Sequence, residues 1–392
     1  MKLSSLAVNV EAYTKARVPR YIEELRAWCA IDSGTDYKLG LDKMAHILAE
    51  HFRRLEMEVT LFEQERYGND VLGVLRGNGT GNVILLGHTD TVYPVGTAAA
   101  RPLRIENNSV YGPGVCDMKG CILSAIYAIE ALLAVGCRSF GELCFLCISD
   151  EEISRRHSPD LIREVCQDCH AALVLEAARA NGDVVSARKG TAWYMLSAHG
   201  RAAHAGVEPE KGHNAILELA HQILQFQSLQ GWQEGLTINP GVISGGTVQN
   251  VVPDYAQVGL DLRFLSLDDR IATEKRWREM LQKQYIPGIE VTLTLDAYCE
   301  PMVCTAQSLR LVYQLQEIAA LLGFSVGHMV TGGSSDARYP AALGIPVLDG
   351  LGPIGGLDHS PGEYILEDSI APRTALLASL IATMSERLSE QE

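Results

Sequence analysis

NVILLGHTD, residues 82–90, is a short aliphatic run, residues 83–86, that passes into Gly87, His88, Thr89 and Asp90. An apolar stretch that ends in polar residues reads as a sheet strand with those residues at its carboxyl end. The pattern recurs three times. Residues 143–148 (LCFLCI) run into Ser149, Asp150, Glu151 and Glu152; residues 172–175 (ALVL) end at Glu176; residues 345–348 (IPVL) lead through a glycine-rich loop to Asp358 and His359. Open α/β sheets bind ligands at the carboxyl ends of their strands, so these polar residues are expected to meet in one crevice. Imidazoles and carboxylates gathered there, with Asp117 from another glycine-rich turn, suit a hydrolase that uses two metal ions.

Working outward, residues 21–30, 41–55 and 120–135 carry apolar residues at helical spacing, and 71–76 reads as a further strand. After Glu176 the pattern changes. Residues 191–198 form a predicted strand, 214–227 an amphipathic helix, 241–243 and 256–264 two strands, 270–284 a charged helix, and 289–295 (IEVTLTL) a half-exposed strand. That βαββαβ order is the ferredoxin-like arrangement. Helix and strand alternate again from about Leu309 to a last helix near 372–388, and His359 lies in this returning segment. The expected fold is therefore α/β: a hydrolase domain with a central mixed sheet flanked by helices, over 1–186 and 299–392, and an inserted ferredoxin-like domain over 187–298.

A chain of 392 residues, 47% apolar, is long for one core and predicts two domains. The net charge of −15 argues against nucleic-acid partners and anionic membranes, which both call for a basic face. No apolar run in the first twenty residues, or later, reaches the length of a signal-peptide core or a membrane span, so a cytoplasmic location is expected. The ten cysteines fall mostly in apolar runs, as Cys144 and Cys147 do, which is the habit of reduced thiols used as small hydrophobes. Cys166-x-x-Cys169-His170 lacks a second pair at zinc-site spacing and reads as helix-end cysteines near the core.

A histidine after a strand is more often a satisfied core or surface residue than a ligand, and His157, His170, His199, His213 and His221 are placed in that class. His88 differs because Asp90, two residues on, can hold its second ring nitrogen and raise its basicity. Asp117, within YGPGVCDMKG (111–120), reads equally as the N-cap of the following helix and as a ligand. The run Asp150-Glu151-Glu152 is most simply a solvated loop. Consecutive side chains point different ways, however, so one carboxylate can bind metal while its neighbour faces the water that must lose a proton.

The segments GHTDTVYPVG, YGPGVCDMKG, ISDEE, VLEA, RAAHAG, GGTVQNVVPD, DLRF, TGGSSDA and LDHSPGEY, in this order over residues 86–364, resemble the co-catalytic zinc hydrolase family of glutamate carboxypeptidase, acetylornithine deacetylase, succinyl-diaminopimelate desuccinylase and aminoacylase. The resemblance implies two zinc ions per chain, with cobalt or manganese fitting the same donors. It makes Asp117 the bridging carboxylate, with a cis peptide after it, and gives His88 and Glu176 to one metal and Glu152 and His359 to the other. Glu151 becomes the general base for a metal-bridging hydroxide and Asp90 the residue that orients His88.

In the inserted domain, which the resemblance makes a dimerisation domain and hence the chain a homodimer, His204 corresponds to a histidine that reaches the partner's substrate carbonyl. Ala203 stands where relatives commonly have serine. Asn250 and Arg263 correspond to positions that hold a substrate carboxylate, for which a planar guanidinium is well shaped; on its own Arg263 reads as an exposed strand residue. Gly333 would let backbone approach the ligand, or is a plain turn. The implied activity is hydrolysis of an amide or peptide bond next to a free amino-acid carboxylate in a small peptide or N-acyl amino acid. Residues 88–95 and 331–337 look most like glutamate carboxypeptidases, which points to release of a C-terminal glutamate. The alternatives are an N-acyl-amino-acid deacylase of the acetylornithine deacetylase type and a catalytically silent binding dimer, from which at least one ligand should have been lost.

Overall fold

The computed structural model describes residues 2–153 and 156–388, with 384–388 as backbone only. In chain order the principal elements begin with helices α1 (Leu3–Lys15), α2 (Val18–Cys29) and α3 (Lys38–Arg54), then strands β1 (Glu58–Phe62), β2 (Asp70–Arg76) and β3 (Val83–His88). Helix α4 (Lys119–Ala134), strand β4 (Glu142–Ile148), helix α5 (Pro159–Cys166) and strand β5 (Ala171–Val174) follow. Next come β6 (Gly190–His199), α6 (Ala215–Gln227), β7 (Thr237–Gly245), β8 (Tyr255–Phe264), α7 (Leu267–Met280) and β9 (Glu290–Cys299). Helix α8 (Ala306–Leu321), strand β10 (Val347–Leu348) and helix α9 (Glu367–Leu388) end the chain. Two compact units result: one comprises residues up to Ser186, Cys304–Val330 and the chain from Ser335 on, the other Ala187–Val303 with Thr331–Ser334.

The first unit is built on a six-stranded mixed sheet in the order β1-β2-β4-β3-β5-β10. Strands β4, β3, β5 and β10 run parallel, whereas β2 pairs antiparallel with β4 and β1 with β2. Every residue of β3 is buried, as the continuous aliphatic run requires. Helix α4 is also buried almost all round, which explains why its sequence (KGCILSAIYAIEALLA) shows little amphipathic periodicity. Its first residue, Lys119, is fully buried and donates to the carbonyls of Ile31 at 2.7 Å and Trp28 at 3.2 Å.

Register then decides what lies at the carboxyl edge. His88 pairs with Ile148, so the loop 149–152 starts immediately beside it. Leu86 pairs with Val174, which puts Glu176 level with His88 on the other side.

The second unit is an antiparallel sheet in the order β7-β8-β6-β9, with α6 and α7 joining β6 to β7 and β8 to β9. The helices share one apolar core with the sheet, in which Trp277 stacks on Phe226 at 4.8 Å between ring centres. Two strands are longer than their sequences suggest. Strand β7 begins at Thr237, not near Gly241, because a bulge between Pro240 and Val242 breaks the alternation. Likewise β9 continues past a bulge at Leu295/Ala297 to Cys299, and Met302 still pairs with Arg188.

The last helix starts at Glu367, five residues before Pro372, which stands inside it. One turn holds Arg373, fully buried, which donates to the carbonyls of Gly350 at 2.7 Å, Gly182 at 3.1 Å and Gly352 at 3.1 Å. Burial pulls this guanidinium down to about 10, which leaves it charged at neutral pH. Replacing Arg373 by Ala strips three buried carbonyls of their donor and is expected to destabilise the first unit by ~3 kcal/mol or more, read as an earlier urea transition.

Candidate metal centre

His88, at the end of β3, is almost completely buried, and its Nε2 lies 3.0 Å from Asp117 Oδ1 and 3.9 Å from Glu176 Oε1. The other Asp117 oxygen, Oδ2, lies 3.1 Å from Nε2 of His359, which in turn is 3.3 Å from Glu152 Oε2. Each oxygen of one carboxylate thus faces a different imidazole. Asp117 does not cap α4: the N-cap is Met118, without a side-chain bond, and the Asp117–Met118 peptide is cis. His359 is about half exposed and sits at φ +60°, with Leu357 at φ +57°. Left-handed backbone at a leucine is unusual and marks a turn held by its surroundings.

A second ring of groups holds these candidate ligands. Asp90 faces His88 Nδ1 at 3.3 Å and accepts the backbone N–H groups of Glu151 at 3.1 Å and Glu152 at 3.0 Å, with the Thr35 hydroxyl at 2.7 Å. The Asp90 backbone carbonyl, 3.1 Å from the same Nδ1, shares in holding the ring, so one buried residue fixes both the histidine and the acidic loop. Asp70, at the start of β2, accepts the Ser149 N–H at 2.9 Å and faces His157 Nε2 at 2.8 Å; the Nδ1 of that ring faces Asp150 at 2.8 Å. His157 also stacks on Tyr67. It is the satisfied, non-ligand histidine that the sequence reading expects, clamped between two buried acids beside the candidate site. His170 accepts the Asn82 N–H at 2.9 Å, and His199 and His221 pack on Tyr255 and Tyr285.

The charges are unbalanced. Burial and then Asp336 push the Glu151 carboxyl well above its usual range, against the pull of His88 and Arg156. Arg156 is itself paired with Asp336 at 2.6 Å and lies 3.8 Å from Glu151, a contact with no signal in the sequence. Burial and Asp117 raise Glu152 to about 7. Burial opposes a charge on His88, but hydrogen bonds to Asp117 and Asp90 outweigh it and raise its pKa, while Asp117 raises His359 to about 9. Among the described residues, buried Glu152 Oε1 has no hydrogen-bond partner. Among the described residues, two groups bring three ligand atoms within 4.8 Å of one another: His88 with Asp117 and Glu152, and His359 with Asp117 and Asp358. An excess of carboxylates with imidazole nitrogens turned toward them is the donor set a divalent transition-metal ion takes, so the residues fit such an ion. Asp358, which the sequence places beside His359 at the same edge, was not assigned a ligand role there.

The remaining candidates lie in the second unit. His204 pairs with Val251 in a short ladder, and the Ala205 N–H donates to the Asn250 carbonyl at 2.9 Å, which makes His204 and Asn250 neighbours. Arg263 is tied to Asp261 at 3.0 Å and to the Thr191 hydroxyl at 2.8 Å. The Gly333 carbonyl accepts from Arg188 at 3.0 Å.

A carboxylate shared between two histidines at the carboxyl edge of a mixed sheet defines a class, the metal-dependent hydrolases of peptide and amide bonds. The chain belongs to peptidase family M20/M25/M40, whose sequence profile matches residues 84–383. It is 29% identical over 368 residues to carboxypeptidase G2 of Pseudomonas sp. (strain RS-16), covering 93% of this chain and 89% of that protein. It is 27% identical over 330 residues to succinyl-diaminopimelate desuccinylase of Xanthomonas oryzae pv. oryzae (strain PXO99A), covering 80% and 86%. The crystal structure of aminopeptidase PepT from Bacillus cereus ATCC 10987 shares the fold, with a TM-score of 0.79 at 22% identity over 93% of this chain and 98% of that one.

Asp150 and Asp70 clamp His157, whose pKa is raised to about 9 against the opposing effect of burial. A raised folded-state value stabilises fully below the unfolded value near ~6.5 and is lost as pH climbs through the folded one. The melting temperature of wild type minus that of His157→Gln should therefore be largest at pH 6 and shrink steadily toward pH 9.5.

Proposed function

We propose that this chain hydrolyses an amide or peptide bond next to a free amino-acid carboxylate, in the manner of a carboxypeptidase that releases a C-terminal glutamate or a similar amino acid. The observation that carries the reading is Asp117, with one oxygen 3.0 Å from His88 and the other 3.1 Å from His359. His88, Asp117 and Glu176 would hold one ion, and Asp117, Glu152 and His359 the other; zinc suits these donors, as do cobalt and manganese. When bound, such ions polarise a carbonyl and lower the pKa of water toward ~7.

The chain's own groups do the rest. Glu151 takes a proton from the attacking water and delivers it to the leaving amine nitrogen, so a carboxylic acid and an amine are formed. Asp90 keeps the His88 ring in one orientation through Nδ1. Arg263, Asn250 and Gly333 hold the carboxylate end of the substrate, and His204 donates to the carbonyl oxygen of a substrate in the partner protomer of a homodimer. The uncovered edge strand β7, with Val242 and Ile243 exposed, supports association through the second unit.

The likeness to carboxypeptidase G2 supports release of a C-terminal amino acid. The likeness to succinyl-diaminopimelate desuccinylases favours, as a second reading, removal of an acyl group from an amino acid. A panel of C-terminal glutamate and aspartate amides and of N-acetyl and N-succinyl amino acids separates the two. Turnover is expected to vanish on chelation and return with zinc. Glu151→Gln should lower kcat by ~10²–10⁴-fold or more with metal still bound, and Arg263→Ala should act mainly on KM. Full activity in chelator, or in Glu151→Gln, would contradict this reading.

A further inference from the structure

Glu363 lies four residues beyond His359, is almost completely buried, and has no cation as a partner in any described ion pair. Its carboxylate instead gathers donors from a distant turn. Oε1 accepts the N–H groups of Cys116 at 2.8 Å and Asp117 at 3.0 Å, and Oε2 accepts the Gly114 N–H at 2.9 Å. Gly114 stands at φ +76°, a conformation that lets the amides of 114, 116 and 117 converge on one anion. The fourth donor is the Tyr93 hydroxyl, 2.8 Å from Oε2 and also 3.0 Å from the Ser360 carbonyl. Arg101 donates to the same carbonyl at 3.2 Å and lies over the Tyr93 ring. The result joins three segments: the one that leaves β3 after His88, the turn that bears Asp117, and the turn that bears His359.

We propose that Glu363, with Tyr93, is the positioning residue of the metal centre: it sets the place of Asp117 relative to His359, so that the two oxygens of Asp117 reach both imidazoles. Glu363 faces no ligand side chain and acts only through the backbone it holds. The proposal rests on the two-metal reading above. Outer partners that orient ligands typically contribute 10–100-fold to metal affinity, because a ligand free to swing must be ordered when the ion binds. Glutamine at 363 keeps the shape but offers one acceptor oxygen, and its amide N–H groups then face backbone N–H groups that need an acceptor. Phenylalanine at 93 removes one donor and leaves the three backbone bonds in place.

The test is calorimetric titration of zinc into the metal-free full chain, for wild type, E363Q and Y93F, with melting of each metal-free protein and the kcat and KM of each loaded one. The expected result for E363Q is zinc binding weakened by ~10–100-fold and a comparable fall in kcat, with KM changed by less than about threefold. Y93F is expected to lie between, at a few-fold. Zinc bound by E363Q as tightly as by wild type overturns the proposal, including when its metal-free melting temperature has fallen, since that pattern marks a residue that only stabilises the fold. If E363Q does not fold, Y93F decides: weaker zinc binding upholds the proposal and unchanged binding overturns it. Wild type that takes up no zinc would overturn the two-metal reading itself, and is distinguished from the other outcomes by that.

Discussion

Carboxylates buried side by side are the constraint on which this structure turns. A charge removed from water must meet donors or a counter-ion, or the fold loses several kcal/mol. The outer acids meet backbone and side-chain donors: Asp90 takes two loop amides, Asp150 takes the Ser158 hydroxyl and His157, and Glu363 takes three amides and a phenol. The inner acids, Asp117 and Glu152, face imidazoles and one another, and Glu176 stands near His88. Scaffold and site are separated by that difference in partners. An outer carboxylate is complete within the protein, whereas the inner set is short of positive charge, which a divalent ion would supply.

The sheet makes this crowding possible. Parallel strands β3, β4 and β5 present their carboxyl ends together, and their register brings His88, the 149–152 loop and Glu176 to one level. Antiparallel β2 begins at the same edge, which is why Asp70 reaches the Ser149 amide from the opposite chain direction. Arg373 then fixes the loop 350–352 that follows β10 on the way to His359.

The strands that bear the candidate ligands were legible because each is a short apolar run with a polar end. The second unit was legible in its βαββαβ order, yet the ends of two of its strands were not, since the bulges at Pro240/Val242 and Leu295/Ala297 erase the alternation on which a strand boundary depends. Helix α1 escaped notice although Leu6, Val10 and Thr14 fall on one buried face, because its mixed sequence carries no capping residue at Lys2. The supporting shell was illegible for a different reason. Glu363 holds amides some 250 positions earlier, and Asp90 holds amides some 60 positions later, and a backbone N–H has no letter in the sequence. His157 was rightly read as a satisfied histidine, but its two partners were not named, because Asp70 is distant and Asp150 looks like part of a solvated loop.

The central claim is that one carboxylate, Asp117, serves two metal positions. The direct measurement is the zinc stoichiometry of wild type and Asp117→Asn by titration of the metal-free protein. Two equivalents in wild type, with both weakened together in the variant, is the predicted result. Loss of one equivalent while the other binds as before, or one equivalent in both proteins, would contradict it.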